Sequence, residues 1–177
     1  MTIKNSSHWI LTVLRQKDND SLVSIFNIYA PNSYNEKLQC WTLLREEQSN
    51  IQGNVIVAGD LNITLSQNEK RGGSISRDPF KDLVEDIIST WVLVDIKPTS
   101  GKYTWNNRRF GPGHIAARLD RFLVQDNFLL LGLIISSKIL PLEDLTISPS
   151  FWKWSKKKTW ALSRSNSTPC GPSMRIS

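Results

Sequence analysis

The first part of the chain carries two apolar blocks. Residues 8–14 and Leu22–Tyr29 are rich in Ile, Val, Leu and aromatic side chains, and the polar run Lys17-Asp18-Asn19-Asp20 separates them. This is the pattern of two strands joined by a turn, so a hairpin is predicted. Ala30-Pro31-Asn32 ends the second strand, because proline has no N–H to give to the ladder. Over residues 36–49 the spacing of Leu38, Trp41, Leu44 and Arg45 becomes that of an amphipathic helix. Residues 54–58, NVIVA, are short, apolar and β-branched, which suits a strand covered on both faces. Phe80, Leu83, Val84, Ile87 and Ile88 recur at helical intervals, and Asp78-Pro79 stands where a cap and a first-turn proline belong. Residues 92–96, 103–106, 118–124 and 134–140 read as further short strands. Strands interleaved with two helices predict an α/β domain, and no internal repeat is present.

After Leu140-Pro141 the texture changes. Residues 151–177 hold Trp152, Trp154, Trp160, a lysine run and scattered Ser, Pro and Gly, without a sustained period. Two regions follow: a domain over 1–144 and a basic, disordered tail over 145–177. Charge sharpens that boundary. The 177 residues carry a formal charge of +6, but residues 145–177 contain six basic residues (Lys153, Lys156, Lys157, Lys158, Arg164, Arg175) and no acid. The remaining 144 residues are therefore neutral, and the pI near 9.5 describes the tail. An apolar fraction of 40% and a charged fraction of 21% fall in the globular range.

Cys40 and Cys170 are the only cysteines, which excludes a disulfide framework and a zinc site built from four thiolates. The N-terminus lacks the apolar core of a secretory signal, and the longest apolar run, residues 128–135, includes Gly132 and is too short to span a bilayer. The expectation is an intracellular chain, nuclear or cytoplasmic, with no membrane and no particular protein partner.

Chemistry enters at Gly59-Asp60-Leu61-Asn62, directly after the buried strand. Side chains two apart at a strand end point the same way, out of the edge where α/β sheets usually bind ligands. Asp60 could hold a metal or activate a water, and Asn62 could hydrogen-bond a phosphate oxygen; an Asx turn that merely closes the strand is the plainer alternative. Polar groups also stand beside apolar strands at Asn27-Ile28-Tyr29-Ala30-Pro31, at Tyr103-Thr104-Trp105 and at Arg118-Leu119-Asp120-Arg121-Phe122.

In this order, the segments NIYAPN, VIVAGDLN, NEKRGG, YTWNN and RLDRFLV resemble the endonuclease/exonuclease/phosphatase superfamily. The likeness is greatest to the endonucleases of plant LINE-type (non-LTR) retrotransposons, whose elements also encode a reverse transcriptase, and covers about residues 7–141. It implies a partial four-layer α/β/β/α sandwich lacking N-terminal strands, and a Mg²⁺-dependent phosphodiesterase acting on DNA. By resemblance, Asp60 aligns or deprotonates the attacking water, Asn62 and Tyr29 contact the phosphate, and Asp120 orients the catalytic histidine. Thr104 and Trp105 match the segment lying against the nucleic acid, and Arg118 and Arg121 are expected to contact backbone phosphates, with a solvated strand edge as the plainer alternative for both.

The chain departs from the family pattern in two places. The opening segment with the metal-ligating Glu should precede the hairpin, so the metal ligands are not assigned. The closing Ser-Asp-His motif is replaced by Leu145-Thr146-Ile147-Ser148-Pro149, and neither His8 nor His114 matches its position. Permitted codons for residues 144–148 spell Ser-Asp-His-Phe one frame away, so a frameshift near residue 142 is expected. The resemblance therefore implies a catalytically impaired fragment of a nuclease. The alternative is a nucleic-acid-binding protein using its Lys/Trp tail, since interleaved cations and aromatics can contact phosphates and stack on bases.

Overall fold

The computed structural model describes residues 2–16, 20–74, 76–130 and 135–139. The tail predicted over 145–177 and the frameshift expected near residue 142 lie outside the described residues. The predicted hairpin is present: β2 (Trp9–Arg15) and β3 (Leu22–Tyr29) pair antiparallel, Trp9 opposite Ile28 and Arg15 opposite Leu22. β3 stops at Tyr29, as Pro31 predicts. Ahead of the hairpin, β1 (Thr2–Asn5) pairs with β2 as an edge strand, all four residues exposed. The sequence pattern does not announce it, because TIKN has no apolar alternation.

Helix α1 (Tyr34–Glu46) is capped by Ser33, whose hydroxyl accepts the Glu36 N–H. Its buried stripe is Lys37, Cys40, Trp41 and Leu44. Leu38, expected in that stripe, is exposed, because it lies one position round the helix from Lys37. The chain then returns as β4 (Asn54–Asp60), parallel to β3. As predicted for NVIVA, the middle of β4 is buried on both faces: Val55 and Val57 on one, Ile56 on the other. Helix α2 (Lys81–Thr90) buries Val84 and Ile87. It starts later than the Asp-Pro pair suggested, with the Asp78 carboxylate accepting the Phe80 N–H at 3.0 Å.

β6 (Leu93–Asp95) and β9 (Asp120–Gln125) complete a six-stranded mixed sheet in the order β1-β2-β3-β4-β9-β6. β5 (Lys70–Arg71), β7 (Trp105–Asn106) and β8 (Ala116–Ala117) form a three-stranded sheet in the order β5-β8-β7. α3 (Asn127–Leu130) follows β9. Of the strand predicted over 134–140, the described part makes only a bridge between Ser137 and Pro98.

The main core lies between the six-stranded sheet and the two helices, around Trp9, Phe26, Trp41, Val57, Val84 and Trp91. A second cluster, Val23, Ile56, Phe122, Val124 and Phe128, lies on the opposite sheet face. The period of two along β4 and β9 thus separates a helix face from a second face, and the candidate site residues stand on the latter.

Candidate active site

Residues directly opposite in neighbouring strands share a sheet face. Tyr29 is the register partner of Asp60 in the parallel pair β3–β4, and Asp60 of Asp120 in the antiparallel pair β4–β9. Tyr29, Asp60 and Asp120 therefore form one row across the ends of three adjacent strands. Counting along β4 in twos from Ile56 through Ala58 puts Asp60 on the face away from the helices; counting along β9 back from Val124 and Phe122 does the same for Asp120.

Gly59 makes the row possible. Its φ is +129°, and a Cβ there would lie 2.0 Å from the Ile28 carbonyl oxygen. Only glycine lets β3 and β4 stay this close where Asp60 turns out. Asn62 follows with φ +48°, a left-handed conformation that asparagine tolerates. The Asp60 carboxylate accepts the Asn62 N–H at 2.9 Å, so the Asx turn is present. It coexists with the site: the Asn62 side-chain amide donates to the carbonyls of Ala30 and Pro31 and to Asn32, tying the end of β3 to the end of β4.

These residues line an open cleft of about 1290 Å³ together with Lys37, Thr64, Lys70, Asp78, Trp105, Asn107 and Arg108, at the junction of the two sheets. Five of the expected residues stand openly in it: Tyr29, Asp60, Asn62, Trp105 and Asp120. Thr104 also borders it, yet is only 4% exposed. Its hydroxyl oxygen accepts the N–H groups of Leu119 and Asp120 at 2.9 and 3.0 Å. Thr104 thus fixes the backbone that carries Asp120, whereas Trp105 offers a half-exposed ring to the cleft.

Arg118 and Arg121 are not brought into the cleft. They are 3% and 0% exposed and face Glu69 and Asp95. Arg118 grips Asp95 with both terminal nitrogens (2.6 and 2.7 Å) and reaches Glu69 at 3.1 Å; Arg121 bonds Asp95 at 2.8 Å and both oxygens of Glu69. Contact with backbone phosphates is corrected accordingly: a cation committed to two carboxylates, the buried Glu69 and the partly buried Asp95, is already neutralised. Burial pushes the Glu69 carboxyl up, but the hydrogen bond and charge of Arg121, the Leu65 N–H and the charge of Arg118 prevail and hold it below its ordinary value. For Arg118, burial disfavours the charge, but Asp95 and Glu69 more than compensate and its pKa is raised.

Lys37 was not singled out from the sequence. It is buried, and its ammonium donates to the Asn62 carbonyl at 2.8 Å, holding α1 against the turn that carries Asp60. The available signal was its spacing, three and four residues before Cys40 and Trp41 on the buried stripe. A second cavity of about 930 Å³ adjoins the cleft, lined by Arg71, Gly72, Asn106, Arg108, Arg109, Phe110 and His114 among others. Phe110 is 97% exposed.

Oxygen donors such as Asp60, Asp120 and the Asn62 side chain suit a hard cation such as Mg²⁺, which keeps several waters and takes one or two carboxylates. The donor chemistry fits. Among the described residues there is no group of three or more His, Cys, Asp or Glu that could hold a metal. Neither His8 nor His114 lines the cleft. No helix among the described residues is long and apolar enough to cross a membrane.

The fold is that of the endonuclease/exonuclease/phosphatase proteins, a mixed α/β architecture shared with solved nucleases and phosphatases. Similar structures include the catalytic domain of Xenopus laevis APE2, with a TM-score of 0.59 and 18% identity over 76% of this chain and 51% of that one. The 3′ phosphatase NExo from Neisseria, solved with a product DNA hairpin, gives 0.59 and 14% over 92% and 66%. The endonuclease domain of TRAS1, a telomere-specific non-LTR retrotransposon, gives 0.51 and 14% over 74% and 57%. The chain thus spans between half and two thirds of their lengths. No family profile matches the sequence, and no curated protein matches it significantly.

Proposed function

We propose that the cleft is a nucleic-acid phosphodiester site that takes Mg²⁺, and that hydrolysis in it is impaired. The observation that carries this reading is the row of Tyr29, Asp60 and Asp120 across three strand ends. Two carboxylates on one face repel each other, and a divalent cation relieves that repulsion while offering positive charge to an anionic phosphodiester. Asp60 and Asp120, with Asn62, would hold the cation; bound there, it would neutralise charge on the phosphate. Asp60 is the residue to orient or deprotonate a water, and Tyr29 is the hydrogen-bond donor to the phosphate. Trp105, Arg108 and the neighbouring Arg109 and Phe110 supply cations and aromatic faces, which favours a nucleic acid over a small phosphate ester. Impairment is supported by the sequence: Leu145-Thr146-Ile147-Ser148-Pro149 stands where the resemblance expects the Ser-Asp-His motif, and neither His8 nor His114 lines the cleft. Retroelement origin, of the plant LINE type, is the reading that the order of the segments NIYAPN, VIVAGDLN, NEKRGG, YTWNN and RLDRFLV supports.

The test is twofold. A fluorescent DNA duplex should bind in the presence of Ca²⁺ or Mg²⁺, with binding weakened by EDTA and by Asp60→Ala. Supercoiled plasmid with Mg²⁺ should be nicked slowly or not at all. Binding indifferent to EDTA and to Asp60→Ala would overturn the site; rapid EDTA-sensitive nicking that Asp60→Ala abolishes would overturn the impairment. A second reading, DNA binding through residues 145–177, is favoured by their six uncompensated cations. Deleting them distinguishes the two.

A further inference from the structure

Glu69 and Asp95 come from different parts of the chain, one from the turn after β4 and the other from the end of edge strand β6. They meet Arg118 and Arg121, which flank Asp120 on either side. The cluster holds two positive and two negative charges, so it is neutral as a unit. The Arg118 N–H also donates to the Glu69 carbonyl at 2.9 Å. The three successive amides from 118 to 120 are thus all committed: the first to Glu69, the next two to the Thr104 hydroxyl. The Leu119 carbonyl accepts the Leu61 N–H at 3.0 Å, directly beside Asp60.

Buried ion pairs seldom add net stability, because desolvating the charges offsets their attraction, and apolar residues of similar volume often hold a fold equally well. What a bidentate guanidinium–carboxylate contact does supply is fixed geometry. We infer that the Glu69–Asp95–Arg118–Arg121 cluster is a positioning device that locks the backbone on both sides of Asp120 and so sets where its carboxylate stands relative to Asp60. These four are positioning residues and touch no substrate. The inference rests on the reading of the cleft as a phosphodiester site, and its structural arm can be measured without any binding.

The test uses the double variant Glu69→Gln/Arg121→Met, which removes one positive and one negative charge and leaves the Arg118–Asp95 pair. A core variant, Ile87→Val in α2, serves as a stability control. The double variant should keep a cooperative melt, shift the amide NMR signals of Leu119 and Asp120, and weaken Ca²⁺-dependent binding of the DNA duplex on the order of tenfold, as removal of outer-shell hydrogen bonds does at metal sites. Ile87→Val should lower the melting temperature and change neither readout. If the double variant does not fold, Arg118→Lys decides by the same readouts, since it keeps the charge and loses the bidentate grip. Unchanged amide signals and affinity in a folded cluster variant would overturn the inference, as would equal changes in Ile87→Val. If the parent binds no duplex, the proposed function fails, and the amide signals alone decide the positioning role.

Discussion

Asp60 and Asp120 stand directly opposite one another at the end of the β4–β9 ladder, on the sheet face turned away from the helices. Like charges at opposed positions disfavour a sheet by a few tenths to about 1 kcal/mol. Asp60→Asn keeps the Asx turn and removes one of the two charges. The variant should be as stable as the parent or up to about 1 kcal/mol more so in urea melts. It should also lose cation-dependent DNA binding. A gain in stability with a loss of binding is the pattern of a functional site held against local repulsion.

Gly59→Ala should be among the most damaging single substitutions in the domain. The new methyl group would meet the Ile28 carbonyl at a non-bonded distance no atom pair tolerates, from a backbone at φ +129°. Opening the β3–β4 contact should cost more than about 2 kcal/mol. Urea unfolding measures it, and a wild-type midpoint would show that the two strands are less tightly joined than described.

Thr104 separates support from contact. Thr104→Val leaves two partly buried amides, those of Leu119 and Asp120, without their acceptor, at about 1–3 kcal/mol. Thr104→Ser keeps the hydroxyl and should stay close to the parent. Faster hydrogen exchange at the two amides in Thr104→Val, and parent-like exchange in Thr104→Ser, is the expected outcome.

The basic and aromatic rim predicts a salt dependence. Removing Arg108 or Arg109 should reduce the slope of log affinity against log salt by roughly one for each phosphate the arginine neutralises. Trp105→Ala or Phe110→Ala should cost about 1–3 kcal/mol of binding if each ring stacks on a base. Titration of a labelled oligonucleotide at several salt concentrations reads both. If deletion of 145–177 abolishes binding while these variants leave it intact, the tail is the binding element.

Acid should weaken the fold through Glu69. Its carboxyl is held below its ordinary value of 4.5, so it contributes stability above that pH and loses it as the pH falls through the lowered native value. The parent should therefore lose stability below pH 4.5 more steeply than the Glu69→Gln/Arg121→Met variant. Parallel urea midpoints across the acid range would contradict this.

Much of this arrangement was legible in the sequence, for local reasons. The hairpin, NVIVA and α2 have strong periods, and Gly-Asp-Leu-Asn after a buried strand marks a strand-end site. RLDRFLV fits a strand with one solvated edge, so the burial of Arg118 and Arg121 is not legible in it. Their carboxylate partners lie 23 to 52 residues away, beyond the reach of any periodicity. Two-residue strands such as β5, β7 and β8 are too short to show alternation, so the three-stranded sheet was not visible as such. In NEKRGG, the glutamate anchors two arginines, and Gly72 passes so near the His114 carbonyl that a Cβ would lie 2.1 Å from its oxygen.

The strand-end row has a thermodynamic corollary. Tyr29, Asp60 and Asp120 belong to three strands that meet only when the crossover through α1 and the later return of β9 are both closed. A chain with either connection open has the same residues and no row. Whatever bridges the three side chains therefore binds the native sheet and not the unfolded chain, and by mass action each tenfold excess over its dissociation constant adds about 1.4 kcal/mol of stability. Such a ligand would act as a staple across the β3–β4–β9 junction, and the melting temperature would report its concentration.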